Sequence, residues 1–194
     1  MKQKEAQSLP TAKELRTELK RERYKQRFHK LLRSTVYALV IVAATATLIA
    51  SLVLPVLQIA GNSMEPTFCE GQIVVLMKTK KLERGDLCAF YYSNKVLIKR
   101  VIGRPGDYVA IDTDGTVYVN GEALDEPYVT EKALGECDLE FPYQIPENQY
   151  FLLGDQRATS IDSRSSVIGC IAADQMIGKI FFRVWPLADL QWVG

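Results

Sequence analysis

The chain has 194 residues, with 24 Lys and Arg against 23 Asp and Glu, for a formal net charge of +1. That balance excludes a strongly basic nucleic-acid binder and an acidic disordered chain, and 47% apolar residues suffice to build a core. With 12 Gly and 8 Pro, neither a collagen-like nor a low-complexity chain fits.

The charge is unevenly spread. Residues 1–33 hold eleven Lys and Arg and four Glu, a local +7, which leaves 13 basic and 19 acidic residues in 34–194, a local −6. No charged side chain occurs from Ser34 to Asn62, and residues 36–57 are mostly Val, Ile, Leu and Ala. A helix over that run, at ~1.5 Å per residue, spans roughly 33 Å, the depth of a bilayer's hydrocarbon core. A buried core helix would carry a polar face, and this run has none. A cleavable secretory signal has ~7–15 apolar residues, fewer than here. The expectation is therefore an uncleaved transmembrane anchor at 34–57, following a basic cytoplasmic tail at 1–33. The tail's Lys and Arg hold it inside, so residues 58–194 lie outside. Within the tail a helix is expected to start after Ser8-Leu9-Pro10, without a continuous apolar stripe through Leu15, Leu19 and Phe28. Contact with anionic membrane lipids and simple topological retention both fit that tail.

Residues 58–194 are enough for one domain with its own core. Short runs rich in Val, Ile, Phe and Tyr predict strands over 73–77, 87–92, 96–102, 108–111, 116–119, 150–153 and 177–184. Asp114-Gly115 and Asn120-Gly121 read as hairpin turns. No helical period follows residue 58, so the external domain is expected to be all-β, with an irregular excursion near 120–146. All four cysteines, Cys69, Cys88, Cys137 and Cys170, fall in this part. Two disulfides and four buried free thiols both remain open. No C-x-x-C spacing or nearby histidine suggests a metal.

The one histidine, His29, lies before the span. An external Ser-His-Asp or Cys-His catalyst is thereby excluded, and a hydrolytic base outside would have to be lysine, a carboxylate or a terminus. Lys99 lies in the apolar run Val96-Leu97-Ile98-Lys99-Arg100-Val101-Ile102. A free lysine titrates near ~10.4, and bringing it to ~8 costs roughly 3 kcal/mol, which desolvation can supply. Strand alternation does not choose between Lys99 and Arg100, and alone it favours an edge-strand lysine with a solvated amine. A candidate nucleophile, Ser63, sits in Gly61-Asn62-Ser63-Met64-Glu65-Pro66-Thr67, six residues past Leu57.

Taken together, the anchor, this Ser63 segment, Arg84-Gly85-Asp86, the run from Lys99 to Asp107, and Gly154-Asp155-Gln156-Arg157-Ala158-Thr159-Ser160-Ile161-Asp162-Ser163-Arg164 resemble the bacterial type I signal peptidases. The resemblance covers residues 36–186 and is similar to the single-span, Gram-positive type. It implies antiparallel sheets and a Ser-Lys dyad that cleaves preproteins at Ala-x-Ala sites through an acyl-enzyme, with no cofactor. Ser63 would be the nucleophile and Lys99 the base. Ser160 would hydrogen-bond the Lys99 amine, Asp162 and Arg164 would form an ion pair beneath the site, and Asp155 and Arg157 would brace the same loop. Backbone N–H groups, that of Ser63 among them, would hold the oxyanion, because Gly61 offers no side-chain donor. The implied partners are signal-peptide-bearing preproteins and the export machinery, not nucleic acid, at the cell membrane. Gln156 stands where the family usually has Asn, and Arg104 where Leu is common. Met64 and 73–75 are candidate pocket residues, with strand core packing the alternative for 73–75, and Trp185 and Trp192 either rest in the membrane interface or pack ordinarily. The competing readings are a self-cleaving repressor type of Ser-Lys β-domain, which would lack the anchor, and a non-enzymatic anchored β-domain.

Overall fold

The computed structural model describes residues 12–193. The chain separates into two units that meet in sequence between Ser51 and Leu52. The described residues of the first all lie in one helix, α1 (Ala12–Val53), which runs unbroken through the described part of the basic tail and most of the apolar run. No Gly or Pro interrupts it. The start signal expected at Ser8-Leu9-Pro10 lies outside the described residues. In the apolar part, the Thr45 and Thr47 hydroxyls donate to the carbonyls of Ile41 and Ala43, each at 2.8 Å. Such internal bonds are what hydroxyls need where no water is available. The helix is long and apolar enough to cross a membrane.

The expected span of 34–57 is divided. Pro55 has no N–H to continue a helix and disfavours helical backbone in the residue before it. The helix accordingly stops at Val53, and Val56–Gln58 forms strand β1. The uncharged helical part, 34–53, still covers roughly 30 Å at ~1.5 Å per residue.

The second unit is built of antiparallel strands. The seven strands expected from the sequence appear as β2 (Ile73–Met77), β3 (Leu87–Tyr92), β4 (Lys95–Gly103), β5 (Tyr108–Ile111), β6 (Val117–Val119), β9 (Gln149–Leu153) and β11 (Met176–Trp185). Four two-residue strands were not foreseen: β7 (Glu122–Ala123), β8 (Tyr143–Gln144), β10 (Ile171–Ala172) and β12 (Gln191–Trp192). The larger sheet runs β1-β2-β11-β3-β4-β9-β10, with β12 also on β11, and the smaller runs β7-β6-β5-β8. The expected turns at Asp114-Gly115 and Asn120-Gly121 join β5 to β6 and β6 to β7. β3 is buried on both faces, which explains its unbroken apolar run. Cys88 and Phe90 pack with Val101 and Leu152, while Leu87 and Ala89 pack with Val74, Leu76 and Ile180. A third cluster, including Ile102, Val109, Val119 and Phe151, joins residues of both sheets.

All four cysteines are free thiols, so neither disulfide forms; Cys88 is buried but Cys69 is exposed. Trp185 and Trp192 are both exposed, and the Trp192 ring lies 5.1 Å from that of Phe182.

One close approach sets the β2–β11 pairing. A Cβ on Gly178 would lie 2.2 Å from the Met77 carbonyl oxygen. Gly178→Ala should therefore cost about 1–3 kcal/mol of stability through backbone overpacking. Denaturant unfolding of the isolated domain checks this, and an unchanged midpoint would contradict the packing described.

Candidate active site

Lys99 and Arg100 are neighbours on β4, and the structure uses both. β4 is not an edge strand: β3 covers one side and β9 the other. Lys99 is only 4% exposed, so the solvated edge amine expected from alternation is overturned. β9 lies some fifty residues further along the chain, beyond the reach of a local pattern.

Ser63 is delivered by the tight turn that follows β1. In that turn Glu65 N–H donates to the Asn62 carbonyl and Phe68 N–H to the Met64 carbonyl. The turn is pinned inward by buried Met64 and Phe68, which join the cluster of Val74, Leu76 and Leu87. The turn also packs on the loop after β9, where Gln156 N–H donates to the Ser63 carbonyl at 3.1 Å. The result is a direct contact: Lys99 Nζ donates to Ser63 Oγ at 2.8 Å. Burial pushes the Lys99 amine down to about 8, and the Arg164 guanidinium acts in the same direction. The carboxylates of Asp162 and Asp155 pull it back up. Desolvation wins.

Three buried arginines surround this pair. Arg100 donates through Nε and Nη2 to the Asp155 carboxylate at 2.9 and 2.6 Å, and through Nη2 to Thr67 Oγ1 at 3.2 Å. Thr67 in turn donates to Asp155. Arg157 donates to both carboxylate oxygens of Glu126, and Arg164 donates to Asp162 through Nε at 2.8 Å and Nη2 at 2.9 Å. A charge removed from water needs such a partner, because alone it would cost several kcal/mol.

The expected site residues are brought together, with two corrections. The Asp162–Arg164 pair forms with both side chains fully buried. Asp155 and Arg157 do brace the loop, but each through a partner elsewhere, Arg100 and Glu126. The expected bond between Ser160 and the Lys99 amine is absent. Lys99 reaches Ser63 instead, and Ser160 Oγ is buried without a hydrogen-bond partner. The Ser160 backbone is bonded within its own loop: its N–H donates to the Gln156 carbonyl, and its own carbonyl accepts from Arg164. The Ser160 hydroxyl lies against Gly154, where a Cβ would come within 2.1 Å of it and 2.6 Å from the Ser63 carbonyl oxygen. Of the two departures, Gln156 supplies the backbone bonds just described, and exposed Arg104 pairs with Glu83 at the surface.

A cleft of about 100 Å³ opens beside the pair, lined by Gln58, Ile59, Met64, Leu97 and Ile98 along with Ser63 and Lys99. Met64 thus lines it as expected, but residues 73–75 do not, and Val74 is core. Sequence reasoning missed Thr67, Glu126 and Tyr128. Thr67 was visible within the Ser63 segment; Glu126 and Tyr128 lie in the irregular excursion and carried no signal. Among the described residues no cluster of His, Cys, Asp or Glu could hold a metal ion.

The sequence profile of the family described as "Signal peptidase, peptidase S26" matches residues 32–185. "Signal peptidase IB" of Staphylococcus aureus (strain MRSA252) is 37% identical over 154 residues, covering 69% of this chain and 79% of that protein. "Signal peptidase I" of Bacillus amyloliquefaciens is 32% identical over 167 residues, 79% of this chain and 86% of that one. A crystal structure of a signal peptidase I from Enterococcus faecalis aligns with a TM-score of 0.44 at 30% identity, covering 51% of this chain and 96% of that one.

Replacing one partner of a buried pair strands the other. Asp155→Asn should cost about 3–5 kcal/mol, by leaving the Arg100 guanidinium without its counter-charge. Thermal or denaturant unfolding measures this, and a loss below about 1 kcal/mol, the range of an exposed pair, would contradict the buried geometry.

Proposed function

This chain belongs to the signal peptidase family, peptidase S26, and on that premise we propose that it cleaves exported preproteins at Ala-x-Ala sites with Ser63 as nucleophile and Lys99 as base. It is a membrane-anchored serine endopeptidase that removes signal peptides. The observation that carries the Ser-Lys reading is the 2.8 Å contact between a serine hydroxyl and a lysine amine that burial holds near pKa 8.

In its neutral form the amine accepts the Ser63 proton instead of donating to Oγ. Ser63 Oγ then attacks the carbonyl carbon before the scissile bond, and the carbonyl oxygen takes the negative charge. When the C–N bond breaks, the Lys99 ammonium gives its proton to the leaving amine, and an ester to Ser63 remains. Water attacks that ester with Lys99 again taking the proton. The C–O bond to Ser63 breaks, and Oγ recovers a proton from Lys99. Asp162 and Arg164 support the loop behind the dyad.

The cleft between residues 58–61 and 96–99 suits an extended substrate segment, and its small volume favours Ala-sized side chains. The +7 tail keeps the N-terminus in the cytoplasm, so the catalytic domain works on the outer side of the cell membrane. Preproteins meet it there as they leave the export machinery. The described part of the tail is exposed helix, and its Lys and Arg are suited to anionic headgroups.

The test is cleavage of a purified preprotein by the full chain in lipid or detergent. Ser63→Ala and Lys99→Ala should each lower the rate by about 10³-fold or more. The wild-type rate should rise with pH through a midpoint near 8, because only the neutral amine can act and its fraction grows as protons leave. Wild-type cleavage by Lys99→Ala, or a rate that falls between pH 7 and 9, would refute the dyad.

A further inference from the structure

The irregular segment between β7 and β8 does more than connect strands. Glu126 on it is 8% exposed and accepts from Arg157 Nη1 and Nη2, at 3.0 and 2.5 Å. Two residues on, the Tyr128 hydroxyl donates to Glu126 at 3.0 Å, while its ring lies 3.7 Å from the Arg100 guanidinium carbon. Further along, the carbonyls of Ala133 and Leu134 accept from Arg164 Nη1, and Asp138 N–H donates to the Arg164 carbonyl. The segment therefore grips all three buried arginines. At Gly135 it passes so close that a Cβ would lie 2.5 Å from the Arg157 carbonyl oxygen.

We propose that Tyr128 is a positioning residue for the Ser63–Lys99 pair, its ring acting through the plane of the Arg100 guanidinium. The edge of that guanidinium is committed to Asp155, Thr67 and the Gly85 carbonyl. Its face is what the tyrosine ring covers. Rotation of the plane is opposed by the ring, and the plane fixes Thr67, four residues from Ser63 on the same turn. Its other anchor is the backbone of Arg100 itself, next to Lys99. The Arg100–Thr67 bond thus ties the nucleophile's turn to the strand that carries the base, and the cation–π contact holds the guanidinium that makes it.

The proposal rests on the peptidase reading above, and its test carries a readout independent of activity. Tyr128→Phe keeps the ring and loses the Glu126 bond; Tyr128→Leu loses both. In preprotein cleavage, Tyr128→Phe should stay within about threefold of wild type, and Tyr128→Leu should lose at least about tenfold in kcat with KM within about twofold. In hydrogen exchange, the Glu65 and Phe68 amides of the nucleophile's turn should exchange faster in Tyr128→Leu but not in Tyr128→Phe, with the β4 and β9 amides unchanged. Should Tyr128→Leu fail to fold, Tyr128→Met takes its place with the same criteria. Wild-type kcat and exchange in the ring-less variant, or an equal loss in Tyr128→Phe, would overturn the proposal. Failure of the wild-type chain to cleave would refute the peptidase reading instead, while exchange at Glu65 and Phe68 would still decide the role of Tyr128.

Discussion

A lysine amine serves as a base near neutral pH only where water is kept from its charged form. Lys99 meets that condition because its amine is covered by the Ser63 turn, which packs on the loop after β9, and only 4% of the residue is exposed. The protection carries a cost in stability. In the unfolded chain the amine titrates near 10.5, but near 8 in the folded one, so between those values the unfolded state holds more protons and stability rises with pH. Below pH 8 the full penalty applies, about 3 kcal/mol at most. Such a residue is a local conflict with folding that function explains.

The surrounding charges are arranged so as not to undo it. Three arginines and three carboxylates sit in the same buried region, each paired. Asp155 and Asp162 both tend to raise the Lys99 pKa, and each has a guanidinium bound directly to it. The pairs also join segments that are distant in the chain. Arg100 links β4 to the loop after β9 and to the turn of Ser63, and Glu126 links that loop to the irregular segment. By joining these segments, the buried pairs specify which loops meet.

Much of this was legible in the sequence. The anchor, seven strands and two hairpin turns follow from apolar runs and from Gly, Asn and Asp, because these signals are local. The single histidine, placed before the span, left lysine as the leading base, and the motif order pointed to Ser63 and Lys99. What local pattern could not supply was long-range pairing. The Ser63 turn, 36 positions before Lys99, is what meets its amine, and no local pattern on β4 reports that. The carboxylates that meet Arg100 and Arg157 lie about 55 and 31 positions away. Pro55, at the end of the apolar run, already marked where a helix stops, yet composition alone carried the span on to Leu57. Four cysteines were compatible with two bridges, but a bridge depends on approach in the fold, and all four are free.

The central claim is that burial keeps the amine beside Ser63 Oγ poised to lose its proton. Titration of Lys99 in the full chain, followed by NMR of labelled lysine with Lys99→Arg to assign the signal, tests it without relying on turnover. A midpoint near 8 is the predicted result. A midpoint near the ordinary lysine value of about 10.4 would show that the amine is solvated, and would contradict the account.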